Sequence, residues 1–126
     1  MTFLVPIKTV SALNVREHWA VRARRVKSER NAVYVSALAA RATLNLNGAP
    51  RLAVDLPVTV TLTRISHRKL DGHDNLAASM KGCVDEVAAL LGLKSDDDDR
   101  VTWVYRQSGE GRGVFGVRVS IEPRGT

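Results

Sequence analysis

Four segments of the chain alternate apolar and polar residues with the two-residue period that is typical of β-strands. They are residues 2–8, 56–65, 101–107 and 114–121. In the first segment, Phe3, Val5 and Ile7 fall on one face. The last two segments are separated by residues 108–113, a glycine-rich stretch that predicts a hairpin loop.

Two other segments have the three-to-four-residue period of helices. The first is expected from about residue 15 to about residue 44, with Asn14 as its cap and a buried stripe of residues seven apart. That stripe consists of Trp19, Val26, Val33 and Ala40. The second helix is expected over about residues 75–91, and Gly92 is a natural stop for it.

The predicted elements follow the order strand, helix, strand, helix, strand, strand, with no repeat and no linker. A chain of 126 residues is long enough to bury about two-thirds of its unfolded surface around one core. We therefore expect residues 1–126 to form one compact domain of the α/β (α+β) class, with a mixed sheet and two helices. The N-terminal residues contain no apolar run typical of a signal peptide or membrane helix, so a cytoplasmic location is expected.

Positive and negative charges are segregated along the chain. Residues 1–70 carry 12 basic and 3 acidic side chains, whereas residues 71–126 carry 7 basic and 10 acidic ones. The basic excess favours a polyanion such as nucleic acid as the partner. Because carboxylates beside a phosphate backbone are tolerated when a divalent cation separates them, the pattern predicts a polyanion-binding surface with a metal site.

Two acidic segments flank the second predicted helix. Asp71 and Asp74 lie between a strand and this helix, and the aspartates at 96–99 precede the next strand. If both segments meet at one edge of the sheet, their carboxylates need a divalent cation. A solvated acidic loop is the alternative. Asp74, Lys81 and Asp85 follow helical spacing, which fits either a phosphate site or a helix cap with an exposed ion pair.

Three side chains with versatile chemistry are expected to be structural. Cys83 is the single cysteine, and it lies in an apolar stretch typical of a core position. Trp103 and Tyr105 alternate on a predicted strand, which favours the core or a dimer interface, with base stacking as the alternative.

The acidic segments resemble the motifs of the RusA-type Holliday-junction resolvases, the crossover-junction endodeoxyribonucleases common in bacteriophages and prophages. The matching pattern is Asp-Asn-Leu opening a helix, Lys and Asp four apart on that helix, then Asp-Asp-x-x-Val entering a strand: Asp74, Asn75, Leu76, Lys81, Asp85, Asp97, Asp98 and Val101. Only residues 68–101 carry specific motifs. Here Gly72 and His73 lengthen the first motif by one residue, and Ala78 stands where the family usually has its essential lysine.

The resemblance implies a compact α/β homodimer that binds Mg²⁺, with Mn²⁺ as a substitute, and hydrolyses phosphodiester bonds in four-way DNA. It implies Asp74, Asp98 and Asp71 as catalytic metal ligands and Lys81 as a catalytic phosphate contact. The residues expected around this set are Asp85, Asp97, His73 and Asn75; for His73 a general base and a solvated bystander are both open. Neither a small-molecule cofactor nor a membrane is expected, and the location would be the cytoplasm of a bacterial or phage-infected cell.

Basic residues on the first helix and beside the acidic loop are expected to contact DNA phosphates without reading much sequence. They are Arg22, Arg24, Arg25, Lys27, Arg30, Arg64, Arg68 and Lys69. The alternative to a nuclease is a non-catalytic basic DNA-binding protein whose acidic loops are solvated. Metal dependence separates these two interpretations.

Overall fold

A computed structural model describes residues 1–9, 19–40, 43–44, 50–52, 54–70 and 73–124, without the side chains of residues 43, 44, 50 and 73–75. The elements are β1 (Thr2–Val5), α1 (Trp19–Ala39), β2 (Thr43–Leu44), β3 (Pro50–Arg51), β4 (Val58–Ser66), α2 (His73–Ser79), α3 (Lys81–Leu90), β5 (Val101–Gly109) and β6 (Gly116–Pro123). The mixed α+β fold that the sequence predicts is confirmed. No helix of the described segments is both long and apolar enough to cross a membrane.

The main sheet has the strand order β1-β6-β4-β5, while β2 and β3 form a separate antiparallel pair. β4 pairs in parallel with β5 and antiparallel with β6. The predicted hairpin between the last two strands is therefore wrong, because β4 lies between them. The helices α2 and α3 form the crossover that joins two parallel neighbours, which leaves the other edge of β4 for β6.

The alternation of β4 decides which face of the sheet is covered. Val58, Val60 and Leu62 are fully buried in the core, whereas the threonines between them are half-exposed. The buried apolar side chains of α1 and α3 belong to the same core cluster as these three residues. The inner face of the sheet is thus the one against the helices, as the sequence pattern predicts.

The buried stripe of α1 differs from the predicted one. Glu29, Val33 and Ala37 are its buried residues, at a spacing of four, whereas the side chain of Trp19 is 76% exposed. A strict seven-residue repeat drifts around a straight helix, so residues seven apart do not all stay on the contact face. The burial of Val33 is confirmed and that of Trp19 is wrong. The predicted cap Asn14 lies outside the described residues.

The second predicted helix is divided at Met80 into α2 and α3. Cys83 on α3 is fully buried, which confirms its core position. Burial, together with the negative charge of Glu29, raises the pKa of its thiol to about 12, so it stays protonated at neutral pH. After α3, Gly92 takes a φ of 80°, as expected for a glycine that ends a helix.

A Gly92→Ala substitution is expected to lower the free energy of unfolding by about 1 kcal/mol, because alanine is strained at this positive φ. Urea unfolding measures the change as a lower midpoint at an unchanged slope. Gly111→Ala is the matched control, since its new methyl group meets no atom within 4 Å. Equal midpoints for the two variants would contradict this reason for the helix stop.

Candidate functional site

A groove of about 480 Å³ runs between α1 and the start of α3; we call it the Lys81 groove. Its lining consists of Arg22, Arg25, Val26, Glu29, Ala77, Ala78, Lys81, Gly82, Asp96 and Tyr105. The ammonium Nζ of Lys81 lies 3.1 Å from Oδ1 of Asp85 and 3.0 Å from Oδ2 of Asp96. The hydrogen bond to Asp96 is the main cause that raises the pKa of Lys81, so this ammonium stays charged.

The sheet fixes Asp96 through its backbone. The indole N–H of Trp103 on β5 donates a 2.8 Å hydrogen bond to the carbonyl of Asp96. Two residues along the strand, Tyr105 lines the groove, and burial followed by the negative charge of Asp96 raises the pKa of its phenol. Trp103 is half-buried and packs against the core, so it both closes the core and orients the acidic loop.

The aspartates after Asp96 have other partners. Asp98 receives hydrogen bonds from the backbone N–H of Arg100 and from its guanidinium, at 2.9 to 3.0 Å. The side-chain hydrogen bonds from Arg100 are the main cause that lowers the pKa of Asp98 to about 2. Asp97 bonds to the hydroxyl of Ser95. Neither Asp97 nor Asp98 lines the Lys81 groove, whereas Asp96 does.

The loop that leads to the first acidic motif is held by two polar residues of the inner face. Gln107 on β5 accepts a 2.7 Å hydrogen bond from the N–H of Leu70 and donates a 3.0 Å bond to its carbonyl. Beside Gln107 in the sheet, Arg64 on β4 donates to the carbonyl of Arg68 at 2.8 Å. The residue before Asp71 is thereby tied to the end of β5.

The two acidic segments do not leave the same edge of the sheet, which corrects the expected convergence. Because β4 and β5 are parallel, the end of β4 and the start of β5 lie at opposite ends of the sheet along the strand direction. The segments instead approach along β5, with Asp96 at Trp103 and Leu70 at Gln107. These two strand positions are about 13 Å apart along the strand, and Tyr105 lies between them.

The first acidic motif lies largely outside the described part of the chain. Asp71 is not described, and α2 contains His73, Asp74 and Asn75 without described side chains. Asp74 precedes Ala78 by one helical turn, and Ala78 lines the Lys81 groove. The assignments of Asp71 and Asp74 as metal ligands stay predictions.

The wall of the Lys81 groove on α1 contains a buried acid that sequence inspection missed. Glu29 is only 5% exposed, and its carboxylate lies 3.3 Å from the guanidinium of Arg25. α3 faces it with Gly82, where an added Cβ would come within 2.7 Å of Glu29. The glycine thus allows the close approach of α1 and α3. A glutamate between basic residues is ordinarily solvated, so only the i, i+4 spacing to Val33 hints at its burial.

The other basic residues differ in their exposure and in their partners. Arg22, Arg24 and Lys27 are exposed on α1, and Arg30 pairs with Glu86 of α3 at 3.0 Å. Arg68 and Lys69 are exposed on the loop after β4, whereas Arg64, within β4, is buried. Of the predicted DNA-contacting residues, only Arg22 and Arg25 line the Lys81 groove.

The described carboxylates match the ligand chemistry of Mg²⁺ in part. No group of three His, Cys, Asp or Glu residues close enough to hold a metal occurs within the described segments. Asp85 and Asp96 converge on Lys81, and each uses one carboxylate oxygen in that bridge. Their other oxygens are hard ligands of the type that Mg²⁺ prefers. A complete site would need further ligands from the motif that begins at Asp71.

Comparison of the chain with protein-family models, with curated proteins and with solved structures finds no match.

Proposed function

We propose that the chain is a metal-dependent endodeoxyribonuclease that resolves four-way DNA junctions in recombination and repair. One observation carries the proposal: Asp96, in the acidic run at 96–99 and next to the second motif, meets Lys81 and Asp85 of the helix motif in a single groove. Residues that are separate in sequence thus share a site, and Arg22 and Arg25 flank it. Carboxylates can bind a divalent cation while the neighbouring lysine and arginine side chains bind a phosphate, so this combination suits a phosphate with a divalent cation.

The proposed metal ligands are Asp74, Asp71 and either Asp98 or Asp96. The resemblance to RusA-type resolvases assigns Asp98, whereas the groove geometry favours Asp96. A bound Mg²⁺ would activate water and neutralise charge on the phosphate oxygens. Lys81 would contact a non-bridging oxygen of the scissile phosphate, because its ammonium is a compact charge inside the groove.

The remaining assignments place supporting groups around these ligands. Asp85 would orient Lys81 through their 3.1 Å ion pair. Asp97, His73 and Asn75 would lie near the metal, with His73 as either a general base or a solvated residue. Basic residues of α1 would bind the DNA backbone in the cytoplasm of a bacterial or phage-infected cell.

Incubation of the purified protein with synthetic four-way junctions tests the proposal. With Mg²⁺ or Mn²⁺ we expect nicks near the crossover, and linear duplex of the same sequence should be cut more slowly. EDTA should abolish the nicks. Intact junctions over a range of metal concentrations and pH values, with binding retained, would reject the enzyme.

A non-catalytic DNA-binding protein is the second candidate, and one observation favours it. Three described carboxylates already have a cationic partner: Asp85 and Asp96 share Lys81, and Asp98 has Arg100. Ion pairs of this kind also occur on ordinary solvated surfaces. Junction binding that is independent of metal and never leads to nicking would establish this function.

A homodimer with two-fold symmetry is proposed as the active form, since two identical sites most simply cut two opposed strands. Exposed apolar side chains on α1, among them Val35 and Leu38, support such a contact. Light scattering at micromolar concentration is expected to give twice the mass of one chain. A monomeric mass would contradict the proposed assembly.

A further inference from the structure

Arg64 is a charged residue in a core position. It continues the inner-face row of β4 after Val60 and Leu62, and it is only 7% exposed. Burial lowers the pKa of its guanidinium, which nevertheless stays charged at neutral pH. A buried charge is costly unless an opposite charge lies next to it.

The partners of Arg64 are neutral. Its Nε donates to the hydroxyl of Thr9 at 2.7 Å, and its Nη1 donates to the carbonyl of Arg68 at 2.8 Å. Within the described segments, Arg64 forms no ion pair with a carboxylate. A guanidinium has five N–H donors; two of them bond to described residues of the protein, and, counted over those residues, three remain for a ligand.

Arg64 lines a second groove, of about 560 Å³, at the carboxyl end of β4; we call it the Arg64 groove. Its lining includes five cations: Lys8, Arg64, Arg68, Lys69 and Arg112. No acidic side chain lines it among the described residues, and the nearby Glu110 carboxylate accepts a 2.9 Å hydrogen bond from Ser108. Five cations around one groove create a strongly positive potential.

We propose that the Arg64 groove binds a backbone phosphate of nucleic acid, with Arg64 as a pre-oriented donor at its floor. The phosphate would supply the negative charge that the buried guanidinium lacks. Arg64 is anchored by Thr9 and Arg68, so little side-chain freedom is lost on binding. The groove shares no lining residue with the Lys81 groove, so this phosphate is not the scissile one.

The proposal rests on the proposed function for the identity of the polyanion, which is DNA. The phosphate would lie beside residues 66–70, the loop that continues into Asp71. Phosphate contacts fix the register of a protein on a strand without reading its bases. The Arg64 groove would therefore hold the strand at a fixed distance from the Lys81 groove.

Fluorescence anisotropy with a labelled four-way junction in EDTA tests the groove apart from any cutting. Arg64→Lys retains the charge but loses the planar fork, so we expect junction binding to weaken about 3- to 10-fold. Arg112→Ala, at an exposed residue of the groove, should lower the slope of log affinity against log salt by about one. Arg118→Ala is the control, because Arg118 is exposed on β6 and lines neither groove. It should change neither quantity.

A second measurement identifies the ligand. The Nε–Hε NMR signal of Arg64 is followed while inorganic phosphate or a short thymidine oligonucleotide is added. A shift with the oligonucleotide, lost in Arg112→Ala or weakened there, supports the groove. A shift with inorganic phosphate alone, or wild-type junction affinity in both Arg64→Lys and Arg112→Ala, would overturn it.

The outcomes separate this proposal from the proposed nuclease. If the groove variants bind junctions weakly and the wild type never nicks DNA, phosphate binding in the Arg64 groove is supported and the proposed nuclease activity is rejected. If the wild type nicks junctions and the groove variants bind normally, only the Arg64 groove is rejected.

Discussion

An Asp96→Asn variant is expected to lose Mg²⁺-dependent nicking of four-way junctions by more than about 100-fold, since groups that merely support a metal ligand already cost 10- to 100-fold. Asparagine matches the shape of aspartate but removes the charge that faces Lys81 at 3.0 Å. Junction binding in EDTA should be retained or tightened, because a negative charge facing phosphate has gone. Single-turnover nicking rates and anisotropy measure the two effects.

Asp99→Asn is the matched control, because Asp99 is exposed in the same acidic run and does not line the Lys81 groove. Its nicking rate should equal that of the wild type. Asp98→Asn decides between the two ligand assignments. If it abolishes nicking while Asp96→Asn retains full activity, the resemblance has identified the ligand correctly and the groove geometry has not.

Replacing Lys81 with methionine is expected to reduce nicking about 100-fold, the usual scale for removing one transition-state contact. Methionine retains the length of the side chain without its charge, so the carboxylates of Asp85 and Asp96 would face each other unscreened. Stability should fall by less than about 1 kcal/mol, because the ion pairs are partly exposed. Urea unfolding and the nicking rate together separate a catalytic role from a structural one.

Lys94→Met provides the control for charge alone, since Lys94 is an exposed lysine that does not line the Lys81 groove. Its nicking rate should change little. Full activity in Lys81→Met would show that Lys81 only forms ion pairs at the surface.

The fold is predicted well where the local periodicity of apolar and polar residues determines whether a segment is a strand or a helix. The threonine alternation of β4 and the stop at Gly92 follow directly from residue chemistry. The separation of β5 and β6 by β4 could not be predicted, because a glycine-rich connection of six residues fits a hairpin and also fits a crossing over the end of β4. Strand order depends on which partner β4 accepts at each edge, and local pattern does not contain that information.

The site is predicted in its residue types more than in its individual residues. Motif spacing brings the acidic run near the helix motif, but it does not tell which of four adjacent aspartates faces Lys81. That choice depends on the Trp103 hydrogen bond to Asp96, a contact across the fold. The burial of Glu29 and Arg64 was also missed, since charged residues are ordinarily assigned to the surface.

Crystals soaked in Mn²⁺ test the central claim most directly, because the anomalous signal locates the metal and identifies its ligands. The account predicts a peak in the Lys81 groove with carboxylate oxygens of Asp74 and of Asp96 or Asp98 as ligands, at about 2.0 to 2.2 Å, close to the distances of Mg²⁺. The peak should vanish in whichever of the two ligand variants, Asp96→Asn or Asp98→Asn, loses nicking. A groove without any Mn²⁺ peak at millimolar metal, in crystals of a protein that binds junctions, would contradict the metal-dependent nuclease.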